Sequence, residues 1–307
     1  MIHGNSNEVS LMSSISASRH LRFRESPKQP SLSTLSGVGV VEHSAQMGRE
    51  RVSPGNTPAE RPRSEVALMF PPSARPTVEQ IGALAAEDGT FIISFDPASA
   101  ASPPFPTDTD RWVELQANGL AFDVSGLALG PPEPVPEGAH RYGLPPGFDD
   151  ESLEAITLRP HIASASRMAP VLRRMAGLAA ALGGLPNVRA VGWTAARTWS
   201  SPAHFRRAVG HWLEGGPFPG LGLTGLARTD NGGLRSDGLA LFTGQELRLA
   251  PELMQDPRAG ARLALRTLHW LVENGRLDIP TQLREPSGGV LALAPTRDRR
   301  FVDLSHC

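Results

Sequence analysis

Apolar and polar residues alternate most regularly near the C-terminal end, where they predict an amphipathic helix over residues 257–274. The apolar positions fall on one side at helical spacing and are Ala261, Ala264, Leu265, Leu268, Leu271 and Val272. Asp256 precedes Pro257, so its carboxylate can accept the free N–H groups of the first turn. Gly275 can adopt the left-handed conformation that ends a helix.

A half-buried strand is predicted just before this helix. Leucines at 239, 241, 247 and 249 alternate with smaller or polar residues, which is the period of a strand, and Gly244 marks a bulge or bend. We expect this strand and the helix to pack on each other.

Three further helices are indicated by their caps and apolar stripes. Thr77 and Gln80 form a capping box before residues 78–88, which Gly89 ends. Residues 167–182 carry an apolar stripe, and Ser201 followed by Pro202 caps a helix over residues 202–214. Together with residues 257–274, this makes about four helices.

The remaining apolar stretches predict short strands, several of them in hairpins. The turn residues are Asn118-Gly119 in the first hairpin and Asn231-Gly232-Gly233 in the second. Pro160 suggests an edge strand or a bulge for residues 155–163, and residues 130–147 are rich enough in Pro and Gly to be a loop. The strands are predicted at 65–70, 91–95, 111–116, 120–124, 155–163, 188–194, 221–227, 238–242, 289–294 and 300–304.

Helices interleaved with hairpins predict an α+β fold, in which helices cover one or more mixed, largely antiparallel sheets. Residues 1–64 are rich in Ser, Pro, Gly and Arg and cannot bury enough apolar area to offset their ordering entropy, so we expect a disordered tail. Residues 65–307 then form a single α+β domain. Met47 is an alternative start, which leaves open whether residues 1–46 belong to the native protein.

Composition excludes several classes of function. The net charge is −1, so no overall field favours nucleic acid or a membrane surface. The only lysine is Lys28 in the tail, which excludes Schiff-base, phosphate-loop and kinase-type lysines from the folded part. Cys307 is the only cysteine, so intrachain disulfides and cysteine metal clusters are excluded. Without a membrane-length apolar run or a signal-peptide core, the expected location is the cytoplasm.

No cofactor-binding motif in the sequence has the structural context that it needs. Residues 220–225 match the dinucleotide fingerprint by letter, but a predicted strand follows them where the fingerprint needs a helix. His204 and His211 lie on the polar side of their helix and are about 10 Å apart along its axis at 1.5 Å per residue, too far for one metal ion. We therefore expect no cofactor and no metal ion.

Four residues stand out as candidates for a surface site: His161, Trp193, Asp237 and Glu246. His161, like His140, could pair with Asp237 or Glu246 as an acid and base, or be a hydrogen-bonded histidine of the sheet. Trp193 could pack in the core or contribute to a contact surface. Glu246 could be an exposed strand position or a buried carboxylate paired with an arginine.

Several short segments resemble a known bacterial family. They are His161-Ile162, Leu182-Gly183-Gly184-Leu185-Pro186, Val191-Gly192-Trp193-Thr194, Pro202-Ala203-His204-Phe205, Asp237-Gly238-Leu239 and Phe242-Thr243-Gly244-Gln245-Glu246-Leu247. Over about residues 66–304, and more closely in the C-terminal half, the chain is similar to the family known as domain of unknown function 4261. Asp237 stands where that family usually has threonine, and Thr243 intervenes before Gly244. The resemblance implies a bacterial α+β domain and no established activity, so it assigns no catalytic residues.

Two hypotheses for the function follow. In the first, this is a non-catalytic cytoplasmic domain that binds another protein or plays an accessory role, since no catalytic constellation or cofactor loop is recognisable. In the second, it is a small hydrolase-like enzyme that uses His161 with Asp237 or Glu246. The second requires these side chains to meet in a pocket.

Overall fold

A computed structural model describes residues 64–97, 112–284 and 289–307, which contain two β-sheets. The first sheet has eight strands, namely β1 (Val66–Phe70), β2 (Ile92–Phe95), β3 (Trp112–Ala117), β4 (Leu120–Ser125), β5 (His140–Tyr142), β6 (Glu154–Pro160), β7 (Ala190–Trp193) and β8 (Thr198–Ser200). Their order across the sheet is β2-β3-β4-β6-β1-β7-β8-β5. All neighbours are antiparallel except β5 and β8, which are parallel.

The second sheet has six strands, namely β9 (Gly225–Arg228), β10 (Leu234–Asp237), β11 (Glu246–Leu249), β12 (Thr281–Arg284), β13 (Val290–Pro295) and β14 (Phe301–His306). Their order is β12-β13-β14-β11-β10-β9, so β14 lies in the interior of the sheet. It pairs in parallel with β11 and antiparallel with β13. The sheets are mixed and largely antiparallel, which confirms the predicted α+β class.

The described residues also contain four long helices and two four-residue turns. They are α1 (Val78–Asp88), α2 (Ala169–Leu182), α3 (Pro202–Leu213), α4 (Gly220–Leu223), α5 (Ala240–Thr243) and α6 (Pro257–Asn274). The turns are α4 and α5, of which α4 has non-helical backbone angles at Leu221 and Gly222. Short 3-10 segments lie at Ala163–Ala165, Thr194–Ala196 and Pro251–Met254. The four long helices agree with the predicted number.

One face of the eight-stranded sheet is apolar because side chains alternate along each strand. On β3 and β4 the buried side chains include Val113, Leu115, Phe122 and Val124. These side chains pack in one core with residues of α1, α2 and α3, among them Leu172. The opposite face carries polar residues on the same strands. A smaller cluster around Trp199 and Phe148 covers part of that opposite side.

The predicted C-terminal helix is confirmed as α6. Asp256 accepts hydrogen bonds from the backbone N–H of Arg258 and Ala259 at 2.8 and 3.2 Å, and Gly275 follows the helix with φ of 76°. Its buried side pairs with the second sheet in a core of Leu247, Leu249, Leu263, Ala264, Leu268, Leu271, Leu293 and Leu304. The helix therefore packs on β11 as expected, although Leu263 is more deeply buried than the predicted Leu265.

The strand predicted for residues 238–242 is wrong, because these residues form the helical turn α5. Gly238 and Gly244 bracket the turn with φ of 87° and 80°, so Gly244 ends a helix and is not a bulge. The strand predicted for 221–227 begins at Gly225, after the turn α4. A hairpin does turn at Asn231, Gly232 and Gly233, but its second strand is β10 and not the predicted residues 238–242.

Other differences concern short strands. Pro160 is the last residue of β6, which lies between β4 and β1, so neither an edge nor a bulge explains it; the strand simply ends there. Strands β5, β8, β10 and β12 were not predicted, because three or four residues carry too little pattern, and β5 lies within the predicted loop. Except for Ser64, the tail predicted for residues 1–64 lies outside the described residues. Among the described helices, none has the length and apolar character needed to cross a membrane.

The N-terminal cap of α1 allows a direct test of local stability. Thr77 accepts a hydrogen bond from Gln80 N–H, and the Gln80 side chain accepts one from Thr77 N–H. We expect Thr77→Ala to lower the free energy of unfolding by about 1 kcal/mol and Thr77→Ser to preserve most of it. Chemical denaturation measures both; equal losses in the two variants would contradict the cap.

Candidate functional site

Asp237 forms the centre of a polar joint between the two sheets. It lies at the end of β10, and its Oδ2 is 3.1 Å from His140 Nε2 on β5 and 2.9 Å from Arg197 Nη2 just before β8. Its Oδ1 accepts a hydrogen bond from Arg235 Nη2 at 3.1 Å. Two partners come from the first sheet, so the carboxylate ties the edge of that sheet to the second one.

Ionisation of Asp237 is strongly favoured in the folded protein. Burial by itself raises the pKa of this carboxyl, but the hydrogen bonds from His140 and Arg197 and the charges of Arg235 and Arg197 outweigh it and hold the pKa at about 2. The carboxylate is therefore charged at neutral pH. Both of its oxygens already accept hydrogen bonds from residues of the joint.

Close backbone approach makes this joint possible. A Cβ on Gly225 would lie 2.1 Å from His140 Cδ2, and a Cβ on Gly238 would lie 2.6 Å from the Cβ of Ala196. Both distances are far below van der Waals contact, so side chains at these positions would push the sheets apart.

Glu246 holds the turn α5 and does not face an arginine. Its carboxylate accepts hydrogen bonds from Ser236 Oγ at 2.5 Å and from the backbone N–H groups of Gly238, Leu239 and Ala240 at 2.9 to 3.2 Å. Burial raises the pKa of Glu246, and the hydrogen bonds from Ser236, Ala240 and Gly238 oppose that rise. The residue is a structural acceptor at the start of the turn.

Trp193 belongs to the core and is unavailable at the surface. It is 1% exposed and lies against Phe242 with the ring centroids 6.2 Å apart and the planes nearly parallel. Core packing, one of the two interpretations of this residue, is therefore what the structure shows.

His161 lies at a different place, on the polar face of the first sheet. It follows β6, and its Nδ1 is 2.8 Å from Asp123 Oδ1 on β4 and 3.6 Å from Glu114 Oε2 on β3. The hydrogen bond and the charge of Asp123 raise the pKa of His161, with a smaller contribution from Glu114. Within the described residues no hydrogen bond or ion pair joins His161 to Asp237 or Glu246.

Glu114 and Asp123 were not predicted as site residues, although the two-residue hairpin turn is enough to show that they lie opposite each other. Asn118 and Gly119 have φ of 50° and 75° and close a two-residue turn, which places Glu114 directly opposite Asp123. Side chains on opposite residues of two strands share one face of the sheet. The pair is thus brought to the place where His161 leaves β6.

A cleft of about 510 Å³ opens beside this cluster. Its walls combine charged residues, including Asp123, Glu133, Arg159 and His161, with the ring of Trp112. Arg159 Nη2 donates a hydrogen bond to Ser125 Oγ at 2.6 Å and lies 3.4 Å from Glu133 Oε1. The cleft therefore offers charges of both signs beside an aromatic surface, whereas Asp237 and Glu246 do not line it.

Compared with protein-family models, with curated proteins and with solved structures, the chain gives no match in any of the three. The resemblance to domain of unknown function 4261 accordingly stays a prediction from the sequence.

The glycine at the joint can be tested against a matched glycine in the β9–β10 turn. Gly238 and Gly232 have nearly equal φ, 87° and 86°, but only Gly238 is crowded, since nothing lies within 4 Å of a Cβ on Gly232. Positive φ costs either alanine variant about 1 kcal/mol. We expect Gly238→Ala to lose about 1–3 kcal/mol more than Gly232→Ala in denaturant unfolding. Equal losses would show that the approach to Ala196 is not tight.

The ionised Asp237 makes stability depend on pH in a defined direction. Because its folded pKa of about 2 lies below the value of about 4 expected in an unfolded chain, its contribution is present above about pH 4 and is lost as the pH falls toward 2. We expect the wild type to exceed Asp237→Asn by up to about 2 kcal/mol in unfolding free energy at pH 6, a gap that closes toward pH 2. A gap that is independent of pH would contradict the charged joint.

Proposed function

We propose that this protein is a non-catalytic binding domain that holds a segment of another protein in the cleft on the polar face of the first sheet. The observation that carries the proposal is the exposed apolar surface beside this charged cleft. Binding surfaces typically combine such apolar anchors with surrounding polar groups.

The apolar surface is formed by residues next to the cleft walls. Ile162 lies between His161 and Ala163, which both line the cleft, and its exposed fraction is 63%. Met168 follows the wall residue Ser166 by two positions and is 56% exposed. Large apolar side chains exposed at this level beside a concave surface favour contact with a partner.

Aromatic residues extend this surface on the opposite side of the cluster. Trp112 lines the cleft, and its ring centroid is 5.7 Å from that of Phe95 on β2, which is 37% exposed. Tryptophan and methionine are enriched at protein interfaces. A partner segment with apolar side chains and charges of both signs would complement this arrangement.

The alternative of a hydrolase that uses His161 with Asp237 or Glu246 receives no support from the site. His161 is engaged with Asp123 beside the cleft, whereas Asp237 and Glu246 hold the second sheet and the turn α5. A general base must reach its substrate with a free lone pair. Asp237 and Glu246 have their acceptor positions directed at neighbouring residues of the chain.

We further propose, from its sequence resemblance, that the protein works in the cytoplasm of a bacterium. The single cysteine supports a reducing compartment, because the chain can form no intrachain disulfide. An accessory role in a larger assembly agrees with the same surface.

A pair of isoleucine variants tests the binding surface. Ile162 beside the cleft and Ile279 in the second half of the chain are both strongly exposed, at 63% and 72%. We expect proteins cross-linked to the wild-type chain in native cells to be recovered equally with Ile279→Ser and at least tenfold less with Ile162→Ser, because only Ile162→Ser removes an anchor of the cleft.

Both variants should retain the unfolding temperature of the wild type, since exposed side chains contribute little to the core. Recovery of the same proteins by both variants would place the contact elsewhere. Turnover of a substrate by the purified chain would count against a non-catalytic domain.

A further inference from the structure

From the arrangement of Glu114, Asp123 and His161 we infer a binding site for one divalent transition-metal ion, with Zn²⁺ as the best fitting ion. This goes beyond the protein-binding function proposed above and does not depend on it. It also differs from the expectation from the sequence, which included no metal ion.

Three ligand atoms of suitable type converge at the cluster. His161 Nδ1, Asp123 Oδ1 and Glu114 Oε2 lie within 4.8 Å of one another, with the nitrogen 2.8 and 3.6 Å from the two oxygens. Ligands bound at about 2.1 Å in the tetrahedral geometry of Zn²⁺ are about 3.4 Å apart. The two nitrogen-oxygen distances lie on either side of this value, and side-chain rotations would bring the imidazole and both carboxylates to bonding distance of one ion.

The charges of the cluster also favour a cation. Glu114 and Asp123 are directly opposite each other on β3 and β4, an arrangement in which like charges repel. A proton on His161 Nδ1 serves Asp123, but at 3.6 Å the Glu114 oxygen is beyond a hydrogen bond. A divalent ion between the three atoms would neutralise both carboxylates at once.

Neighbouring serines provide further support. Ser94 Oγ donates a hydrogen bond to Glu114 Oε1 at 2.7 Å, which leaves Oε2 directed toward His161 in the way that outer-sphere groups orient metal ligands. Ser64 lines the same cleft at 2% exposure, and its buried hydroxyl has no hydrogen-bond partner in the described part of the chain. A polar occupant of the cleft, such as a water bound to an ion, would satisfy this hydroxyl.

The ligand set selects the kind of ion. One imidazole nitrogen suits Zn²⁺ and related transition metals, while Mg²⁺ and Ca²⁺ prefer oxygen ligands throughout. Three protein ligands leave at least one position for water, and the cleft provides the space for it. His161 is about half exposed, so an ion can enter from solvent.

The test measures Zn²⁺ binding by calorimetric titration in a chain that carries Cys307→Ser. That background is needed because the exposed thiol of Cys307, next to His306, can itself bind zinc. We expect one saturable site that becomes at least tenfold weaker in His161→Gln, in Asp123→Asn and in Glu114→Gln. The exposed residue His211 on α3 supplies the matched control, since His211→Gln removes a histidine without touching the cluster.

Thermal unfolding separates loss of the site from loss of the fold. Zinc should raise the unfolding temperature of the Cys307→Ser chain and of His211→Gln, but not that of the cluster variants, which should unfold normally without metal. Ile162→Ser should keep the zinc site, so a failed partner contact and a failed metal site give different results. Equal zinc binding by His161→Gln and His211→Gln, or the absence of a saturable site in the Cys307→Ser chain, would overturn the inference.

Discussion

The charged joint at Asp237 is the interaction on which the arrangement of the two sheets depends. Its partners are His140 on β5 and Arg197 just before β8, which lie 97 and 40 residues from Asp237 along the chain. A buried carboxylate without such partners would be costly, so the joint is stable only when both sheets are in place. Glycines at the points of closest approach allow the distance that these bonds require.

The local features of the fold could be predicted because their causes lie within a few residues. The capping box at Thr77, the cap at Asp256 and the turn at Asn118-Gly119 all depend on side chains close in sequence to the backbone they satisfy. The strand wrongly expected at residues 238–242 shows the limit of this approach. There the alternation of leucines does not produce a strand, because a helical turn forms instead. The Glu246 carboxylate stabilises that turn by accepting hydrogen bonds from its N–H groups.

The candidate site was predictable in part. The sequence identifies His161 as a candidate acid or base, with Asp237 or Glu246 as its expected partner. In the fold, Asp237 and Glu246 make hydrogen bonds at other places. Its observed partners follow from the register of one hairpin, because a two-residue turn at Asn118 and Gly119 places Glu114 across from Asp123. The proximity of that hairpin to the end of β6 could not be predicted in this way, since the order of strands across a sheet is set by tertiary packing.

The interior position of β14 has a consequence for how the protein forms during synthesis. Strand β11 must wait for about fifty further residues before its parallel partner, β14, leaves the ribosome. Until then β11 lacks its parallel neighbour, and one long edge of the nascent sheet stays open to other chains. A sheet whose central strand arrives last therefore exposes an unpaired edge during synthesis, which is the kind of surface that chaperones protect.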